Sequence, residues 1–170
     1  QDFVDDLDAL LSHFHINTTS LIGFSFGGII GQAFVLAHPD KVNKLVLIST
    51  VAGRTLEERQ SVHARLAMLE SGGVASTIDA AIERWFTPEF RRAHPDLVER
   101  RRQQMFTNDP QAYAAAYRVF AESDLLDRLH EIRVPTLIIT GQRDAGSTPE
   151  MALKMYQRIP DSCVLILPRL

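Results

Sequence analysis

A serine flanked by glycines is the residue best placed to do chemistry in this 170-residue sequence. Ser25 stands in Gly23-Phe24-Ser25-Phe26-Gly27, which fits the pattern Gly-x-Ser-x-Gly. In that pattern a strand turns sharply into a helix, and the serine occupies the apex on a strained backbone. Its hydroxyl can then reach both a base that takes its proton and a substrate carbonyl. Because Gly23 and Gly27 have no Cβ, neighbouring backbone can approach them closely.

The residues on either side of Ser25 have the patterns that this turn requires. The apolar run from Thr19 to Phe24 predicts a short buried strand. After the serine, apolar side chains follow helical spacing until Pro39 stops the run; they are Ile29, Ile30, Ala33, Phe34 and Ala37. We therefore interpret Ser25 as a nucleophile. The alternative is a glycine-rich turn that contains a serine by chance.

With these residues the sequence resembles the α/β-hydrolase superfamily. The likeness extends through residues 37–42 and a predicted strand at 44–50, and it resumes at 132–141 and Asp144. Within the superfamily the sequence is most similar to the 3-oxoadipate enol-lactonase group and its unassigned relatives, chiefly through residues 146–152. The resemblance implies an α/β protein with a partial α/β-hydrolase fold. In that fold a parallel sheet is flanked by helices and carries an all-helical cap insertion.

The resemblance also assigns an acid. In this fold the catalytic residues follow the order Ser, acid, His. Asp144 comes just after a predicted strand, at the carboxyl end where functional loops gather, and would orient the histidine and stabilise its imidazolium form. The alternative is an aspartate that only organises its own turn. The last histidine is His130, before Asp144. Either the sequence ends short of the catalytic histidine or the protein lacks one. Because the first half of the sheet is also missing, we expect a chain truncated at both ends and inactive by itself.

The oxyanion hole is expected to include the backbone N–H of Phe26, directly after the nucleophile. Its second donor would come from a loop after an earlier strand. The fold places that strand before the first residue of this sequence.

The chain divides by pattern into three segments. Residues 1–52 are interpreted as a core α/β part with the nucleophile turn, 53–132 as the helical cap, and 133–170 as a core α/β part with the acid loop. The middle segment shows helical spacing without strands, and Thr55 and Glu58 match a capping box that opens its first helix. A cap over the serine would exclude water and shape the pocket.

Aromatic residues are the candidates for the substrate pocket. We single out Phe24, Trp85 and Tyr117, with the alternative that the two cap residues only hold helices together. Five arginines in the cap could steer a carboxylate-bearing substrate, although a solvated helix face is the simpler interpretation; they are Arg91, Arg92, Arg100, Arg101 and Arg102.

Composition excludes several functions. A formal net charge of −3 gives no electrostatic reason to expect nucleic acid or an anionic membrane as a partner. No apolar run approaches the length of a membrane span. No His or Cys cluster has ligand spacing and no glycine-rich phosphate loop is present, so we expect neither a metal nor a cofactor. The one cysteine, Cys163, is interpreted as a small core residue, and we expect a cytoplasmic protein.

The sequence therefore predicts a cofactor-free serine hydrolase that acts on a small carboxylic ester or lactone through an acyl-enzyme. An enol-lactone is the substrate that the resemblance implies. Two alternatives stay open: hydrolysis of a carbon–carbon bond in a ring-cleavage product, and a non-catalytic ligand-binding protein with the hydrolase fold. The oligomeric state is not indicated.

Overall fold

Four parallel strands form the sheet that carries Ser25. The computed structural model describes residues 1–170, and the strands follow the order β1 Thr19–Phe24, β2 Val42–Ile48, β3 Thr136–Gly141 and β4 Ser162–Leu167. Each strand pairs in parallel with the next, so their carboxyl ends meet at one edge of the sheet. The parallel sheet with flanking helices confirms the predicted fold class.

Eight α-helices account for most of the remaining chain. They are α1 Asp2–His13, α2 Phe26–Ala37, α3 Leu56–Gly72, α4 Ile78–Trp85, α5 Pro88–Ala93, α6 Pro95–Phe106, α7 Pro110–Glu122 and α8 Pro149–Arg158. Short 3₁₀ helices lie at Pro39–Lys41, Val74–Ser76 and Leu126–Glu131. None of these helices combines the length and the apolar character needed to cross a membrane.

The chain divides into two compact units, one built on the sheet and one all-helical. The sheet unit comprises Gln1–Gly53 with Asp124–Leu170, and the helical unit comprises Arg54–Ser123. The sequence pattern predicts a helical segment that ends at residue 132. In the structure, the 3₁₀ helix Leu126–Glu131 belongs to the sheet unit, since Leu129 is fully buried in the core of that unit.

The core of the sheet unit lies on one face of the sheet. Leu45, Leu47 and Ile138 point into it, and Phe34 of α2 and Met155 of α8 pack against them. Helix α1 contributes Val4 and Leu11 to the same core. This burial of apolar surface is what holds α1, α2 and α8 on the sheet.

The opposite face of the sheet is exposed at both edge strands. Ile22 and Phe24 of β1 are 67% and 66% accessible, and Leu165 of β4 is 47% accessible. The prediction that β1 is buried was therefore wrong for this face, because the helices of the unit pack on the other one. Cys163 lies in the same register row as Ile22 and is also exposed, so its interpretation as a core residue was wrong for the same reason.

The helical unit has two small apolar cores. One contains Val74, Ile78, Ile82 and Met105, and the other contains Val62, Leu66 and Ala121. The predicted capping box at the start of α3 is confirmed: Thr55 Oγ1 accepts from Glu58 N–H at 3.2 Å, and Thr55 N–H donates to Glu58 Oε2 at 2.6 Å.

Candidate active site

Ser25 lies between the end of β1 and the start of α2, as the sequence pattern predicts. Its φ of 53° and ψ of −119° place a non-glycine residue in a left-handed, strained conformation. The backbone is fixed there by three hydrogen bonds. Ser25 N–H donates to Ile48 O at 2.9 Å, while Ser25 O accepts from Gly28 N–H at 2.9 Å and from Thr50 Oγ1 at 2.8 Å.

The turn is crowded at two glycines, and only one of them was expected. A Cβ on Gly23 would lie 2.5 Å from Gly27 O, so Gly23 permits the close backbone approach that we predicted. A Cβ on Gly27 would meet no atom within 4 Å, so the steric reason given for Gly27 was wrong. Gly28 is the second crowded position, because a Cβ there would lie 2.4 Å from the Thr50 side chain.

Phe26 is the first residue of α2. N–H groups in the first turn of a helix point away from the helix body, at the positive end of its dipole. The backbone N–H of Phe26 therefore lies at the helix end that favours a negative charge, and its role as an oxyanion donor remains a prediction. The segments 24–28 and 141–148 contain no histidine.

Asp144 follows β3 and organises its own loop. Its Oδ1 accepts from Gly146 N–H at 2.9 Å and from Ser147 N–H at 2.8 Å. This is the turn-forming role that the sequence left open as an alternative. Oδ2 takes no hydrogen bond in the structure, so the carboxylate is fixed through one oxygen and can accept through the other. Organising this loop and orienting a histidine are therefore compatible roles for Asp144.

The nucleophile turn and the acid loop are attached to the same dipeptide, Ser49-Thr50, directly after β2. Thr50 Oγ1 donates to Ser25 O, and Ser147 Oγ donates to Ser49 O at 2.7 Å. Ser147 is buried, and its own carbonyl accepts from Thr140 Oγ1 at 2.7 Å. Ser49 has a positive φ of 44°, a second strained residue beside the first. We call this set of contacts the Ser49-Thr50 bridge.

Sequence reasoning missed Gly28, Ser49, Thr50 and Ser147. A signal was available for two of them: a polar pair, Ser49-Thr50, ends an apolar strand at the sheet edge where functional groups gather. Gly28 and Ser147 give no comparable signal, because their importance depends on contacts with residues distant in sequence.

The three pocket candidates have different surroundings. Phe24 lies on the exposed face of the sheet. In the helical unit, Trp85 is 43% accessible and the Arg101 guanidinium lies 5.2 Å above its ring centroid. Tyr117 packs its ring against the core of Val62, Leu66 and Ala121, and its hydroxyl accepts from Arg65 Nε at 3.0 Å.

Three of the five arginines considered for substrate steering form ion pairs on helix surfaces. Arg91 reaches Glu83 at 4.0 Å and Arg92 reaches Glu89 at 4.0 Å, while Arg102 pairs with Asp79 and with Glu99. These contacts favour the interpretation of a solvated helix face. No three side chains of His, Cys, Asp or Glu are grouped as a metal site requires.

A strained serine between a parallel strand and a helix, with an acid after a later strand, is the arrangement of the α/β-hydrolases, and the chain has that fold. It belongs to the family Hydrolase_4, described as serine aminopeptidase, S33, whose sequence profile matches residues 1–168.

Several known proteins are similar to the chain. 3-oxoadipate enol-lactonase 2 of Acinetobacter baylyi is 31% identical over 162 residues, covering 95% of this chain and 60% of the relative. The (E)-2-((N-methylformamido)methylene)succinate hydrolase of the same organism is 28% identical over 169 residues, covering 98% and 63%. The resemblance to the enol-lactonase group is thereby confirmed.

Two solved structures also resemble this chain. The enol-lactonase from Burkholderia xenovorans LB400 superposes with a TM-score of 0.88 at 25% identity, covering 96% of this chain and 62% of that one. A thermophilic esterase from Thermogutta terrifontis gives 0.84 at 30% identity, covering 97% and 62%. The chain thus spans about three fifths of the length of these relatives.

Proposed function

We propose that this chain carries the nucleophile and the acid of a cofactor-free serine hydrolase that cleaves a small carboxylic ester or lactone. Ser25 Oγ attacks the carbonyl carbon as a base takes its proton, and the tetrahedral intermediate expels the alcohol oxygen, which receives that proton. Water then attacks the acyl-enzyme, which releases the acid and returns a proton to Ser25.

The observation that carries the proposal is the backbone of Ser25. A residue with φ of 53° costs about 1–3 kcal/mol relative to an ordinary conformation, so the surrounding structure must maintain it. Three hydrogen bonds and the close packing at Gly23 and Gly28 do so. Ser25 is half-buried, and strain maintained at a strand-to-helix turn is characteristic of a catalytic nucleophile.

The remaining roles complete the proposal. Asp144 orients a histidine base through Oδ2, while Oδ1 stays bound to the N–H groups of Gly146 and Ser147. The backbone N–H of Phe26 donates to the developing alkoxide. The helical unit Arg54–Ser123 is the cap that selects the substrate. We also place the protein in the cytoplasm, since its exposed Cys163 thiol suits a reducing compartment.

The names of the relatives support the substrate class. One relative and one solved structure are named enol-lactonases, and another solved structure is named an esterase. A lactone and an ester present the same reacting carbonyl to Ser25. We therefore propose an ester or lactone carbonyl as the reacting group, with an enol-lactone as the first substrate to test.

Covalent labelling tests the nucleophile. The full-length protein treated with a fluorophosphonate should gain one adduct at Ser25, located by peptide mass spectrometry. Ser25→Ala should abolish the adduct. Ser20→Ala is the matched control and should retain it, because Ser20 is an exposed serine of β1 whose hydroxyl donates to Asn43 Oδ1. Turnover of an ester without an adduct at Ser25 would refute the mechanism.

A substrate panel tests the reaction. The wild-type protein is assayed with an enol-lactone, a simple ester and a ring-cleavage dienoate. Turnover of the first two supports the proposal, and exclusive turnover of the dienoate would replace it with carbon–carbon bond hydrolysis. Ligand binding without turnover of any of the three would favour the non-catalytic alternative.

A further inference from the structure

A fully buried glutamine lies on the helix that starts directly after Ser25. Gln32 of α2 is 0% accessible, and its Nε2 donates to Val51 O at 3.4 Å and lies 3.8 Å from Met155 Sδ. Its Oε1 is buried and accepts no hydrogen bond. Burying an amide with one of its groups unpaired costs free energy that an apolar side chain of similar size would avoid. Packing alone therefore gives no reason for a glutamine at this position.

The acceptor of this glutamine belongs to a buried segment without regular secondary structure. Residues 50–53 follow β2, and all four are buried. The backbone polar groups of such a segment need partners, and side chains of two helices supply them. Gln32 of α2 donates to Val51 O, and Lys154 Nζ of α8 donates to Gly53 O at 2.6 Å. We call residues 50–53 the buried strap.

The buried strap lies along one side of the nucleophile helix. Thr50 Oγ1 donates to Ser25 O at 2.8 Å, and the Thr50 side chain lies against Gly28. Further along α2, Gln32 reaches Val51 O. Positions three, four or seven residues apart share one side of an α-helix, as positions 25, 28 and 32 do. Because Thr50 and Val51 are consecutive, a hold on Val51 restricts where the Thr50 hydroxyl can lie.

We propose that Gln32 is a positioning residue for the nucleophile. It holds Val51 and thereby keeps the Thr50 hydroxyl on Ser25 O, a bond that helps to maintain the strained φ of 53° at Ser25. The unpaired Oε1 is the stability cost of that alignment. Gln32 acts through Thr50 and is not itself a catalytic residue. The assignment rests on the proposed function, in which Ser25 attacks a carbonyl.

Gln32→Met tests the assignment, because methionine is similar in size but has no N–H donor. In the full-length protein, Ser25 should react with a fluorophosphonate about fivefold more slowly, and kcat for an ester should fall by a similar factor with KM unchanged. The midpoint of denaturant unfolding should not fall, since the variant loses one long hydrogen bond but also loses the unpaired buried Oε1. A residue with a merely structural role would lower the midpoint and leave the reactivity of the folded protein unchanged.

Phe34→Leu is the matched control on the same helix. Phe34 is also fully buried, but it follows Gln32 by two positions and so lies on nearly the opposite side of α2, where it packs against Leu45 and Leu47. This variant should lower the unfolding midpoint while Ser25 of the folded protein reacts at the wild-type rate. Equal reaction rates in Gln32→Met and the wild type would overturn the proposal, as would equal slowing in Gln32→Met and Phe34→Leu.

A double variant tests the route through Thr50. Thr50→Val removes the hydroxyl that Gln32 keeps in place, so adding Gln32→Met should slow the labelling of Ser25 little further. The same fivefold slowing in both backgrounds would show that Gln32 does not act through Thr50, and the assignment would fall.

A wild type that neither labels at Ser25 nor cleaves an ester contradicts the proposed function, and hydrogen exchange then tests the hold on the turn. Gly28 N–H donates to Ser25 O, whereas Leu45 N–H is hydrogen-bonded within the sheet unit and reports global unfolding. The exchange rate of Gly28 relative to Leu45 should rise about fivefold in Gln32→Met and stay at the wild-type value in Phe34→Leu. An unchanged ratio in Gln32→Met would refute the role of Gln32 in holding the turn.

Discussion

The carbonyl oxygen of Ser25 accepts two hydrogen bonds, and one of them comes from a side chain outside the Gly-x-Ser-x-Gly pattern. Thr50 Oγ1 donates at 2.8 Å, and the same side chain fills the space that Gly28 leaves by lacking a Cβ. Thr50 is itself buried. The strained φ of Ser25 is therefore maintained both by hydrogen bonding and by packing against one residue, and each contribution can be tested separately.

Substituting Thr50 tests the hydrogen bond. Thr50→Val keeps the branched shape but leaves Ser25 O without its side-chain donor, which costs about 1–2 kcal/mol and loosens the turn. We expect Ser25 to react with a fluorophosphonate several-fold more slowly in this variant. Thr50→Ser keeps the hydroxyl and should react at close to the wild-type rate. Equal rates in the valine variant and the wild type would exclude a positioning role for Thr50.

Two neighbouring glycines test the packing. Gly28→Ala would place a Cβ 2.4 Å from the Thr50 side chain and should destabilise the protein by about 2 kcal/mol or more. Gly27→Ala meets no atom within 4 Å and should be neutral or stabilising by up to about 1 kcal/mol, because alanine favours a helix over glycine. Denaturant unfolding measures both. The prediction fails if the two variants have the same midpoint.

At the scale of elements, the sequence predicted what depends on local pattern. The start of α3 was evident because Thr55 is a side-chain cap that accepts a hydrogen bond from the helix that it precedes. Strands β1 and β2 were evident from apolar runs of the right length. The exposure of one face of β1 could not be predicted, because the run that contains Ile22 and Phe24 has the same composition whether or not a helix covers it.

In the candidate site, too, the parts that depend on a local sequence pattern were predictable. Ser25 and its turn follow from a local pattern, and Asp144 from its position after a strand in a fold of known order. The Ser49-Thr50 bridge was not predictable, because the hydrogen bond between Ser147 and Ser49 joins residues 98 positions apart. Such a contact depends on the register between β2 and β3, which no local pattern specifies.

The bridge makes a prediction about how the acid loop acts on the nucleophile turn. Ser147→Ala removes the donor to Ser49 O but leaves the backbone N–H groups that hold Asp144. We expect a fall in kcat of about tenfold with little change in KM, since alignment and not substrate binding is disturbed.

Ser162→Ala is the matched control for that prediction. Its hydroxyl also donates to a backbone carbonyl, that of Ile159, at 2.8 Å, but in the turn between α8 and β4. Ser162→Ala should lose about as much stability as Ser147→Ala, while its kcat stays unchanged. If both variants lost kcat in proportion to their stability, the bridge would have no special role.

At the scale of the whole molecule, the sheet has one covered and one uncovered face. The core of Leu45, Leu47 and Ile138 is sealed by α1, α2 and α8, whereas Ile22, Leu137 and Cys163, which share a register row with Val46 on the other face, are exposed. The next row places Phe24 beside Ile48, Ile139 and Leu165. A contiguous apolar surface of this kind promotes association.

The residues 1–170 expressed alone should therefore self-associate and bind a hydrophobic dye. Replacing Ile22, Leu137 and Leu165 together by threonine keeps residues that favour strands while making the uncovered face polar. We expect this triple variant to bind less dye and to sediment as a smaller species, with an unchanged far-ultraviolet circular dichroism spectrum. Leu47→Thr is the control on the covered face: Leu47 is fully buried, so this variant should lose several kcal/mol of stability and bind more dye, not less. If the triple variant associates as strongly as the parent chain, the uncovered face is not the cause of association, and the open backbone edges of β1 and β4 become the surfaces to modify next.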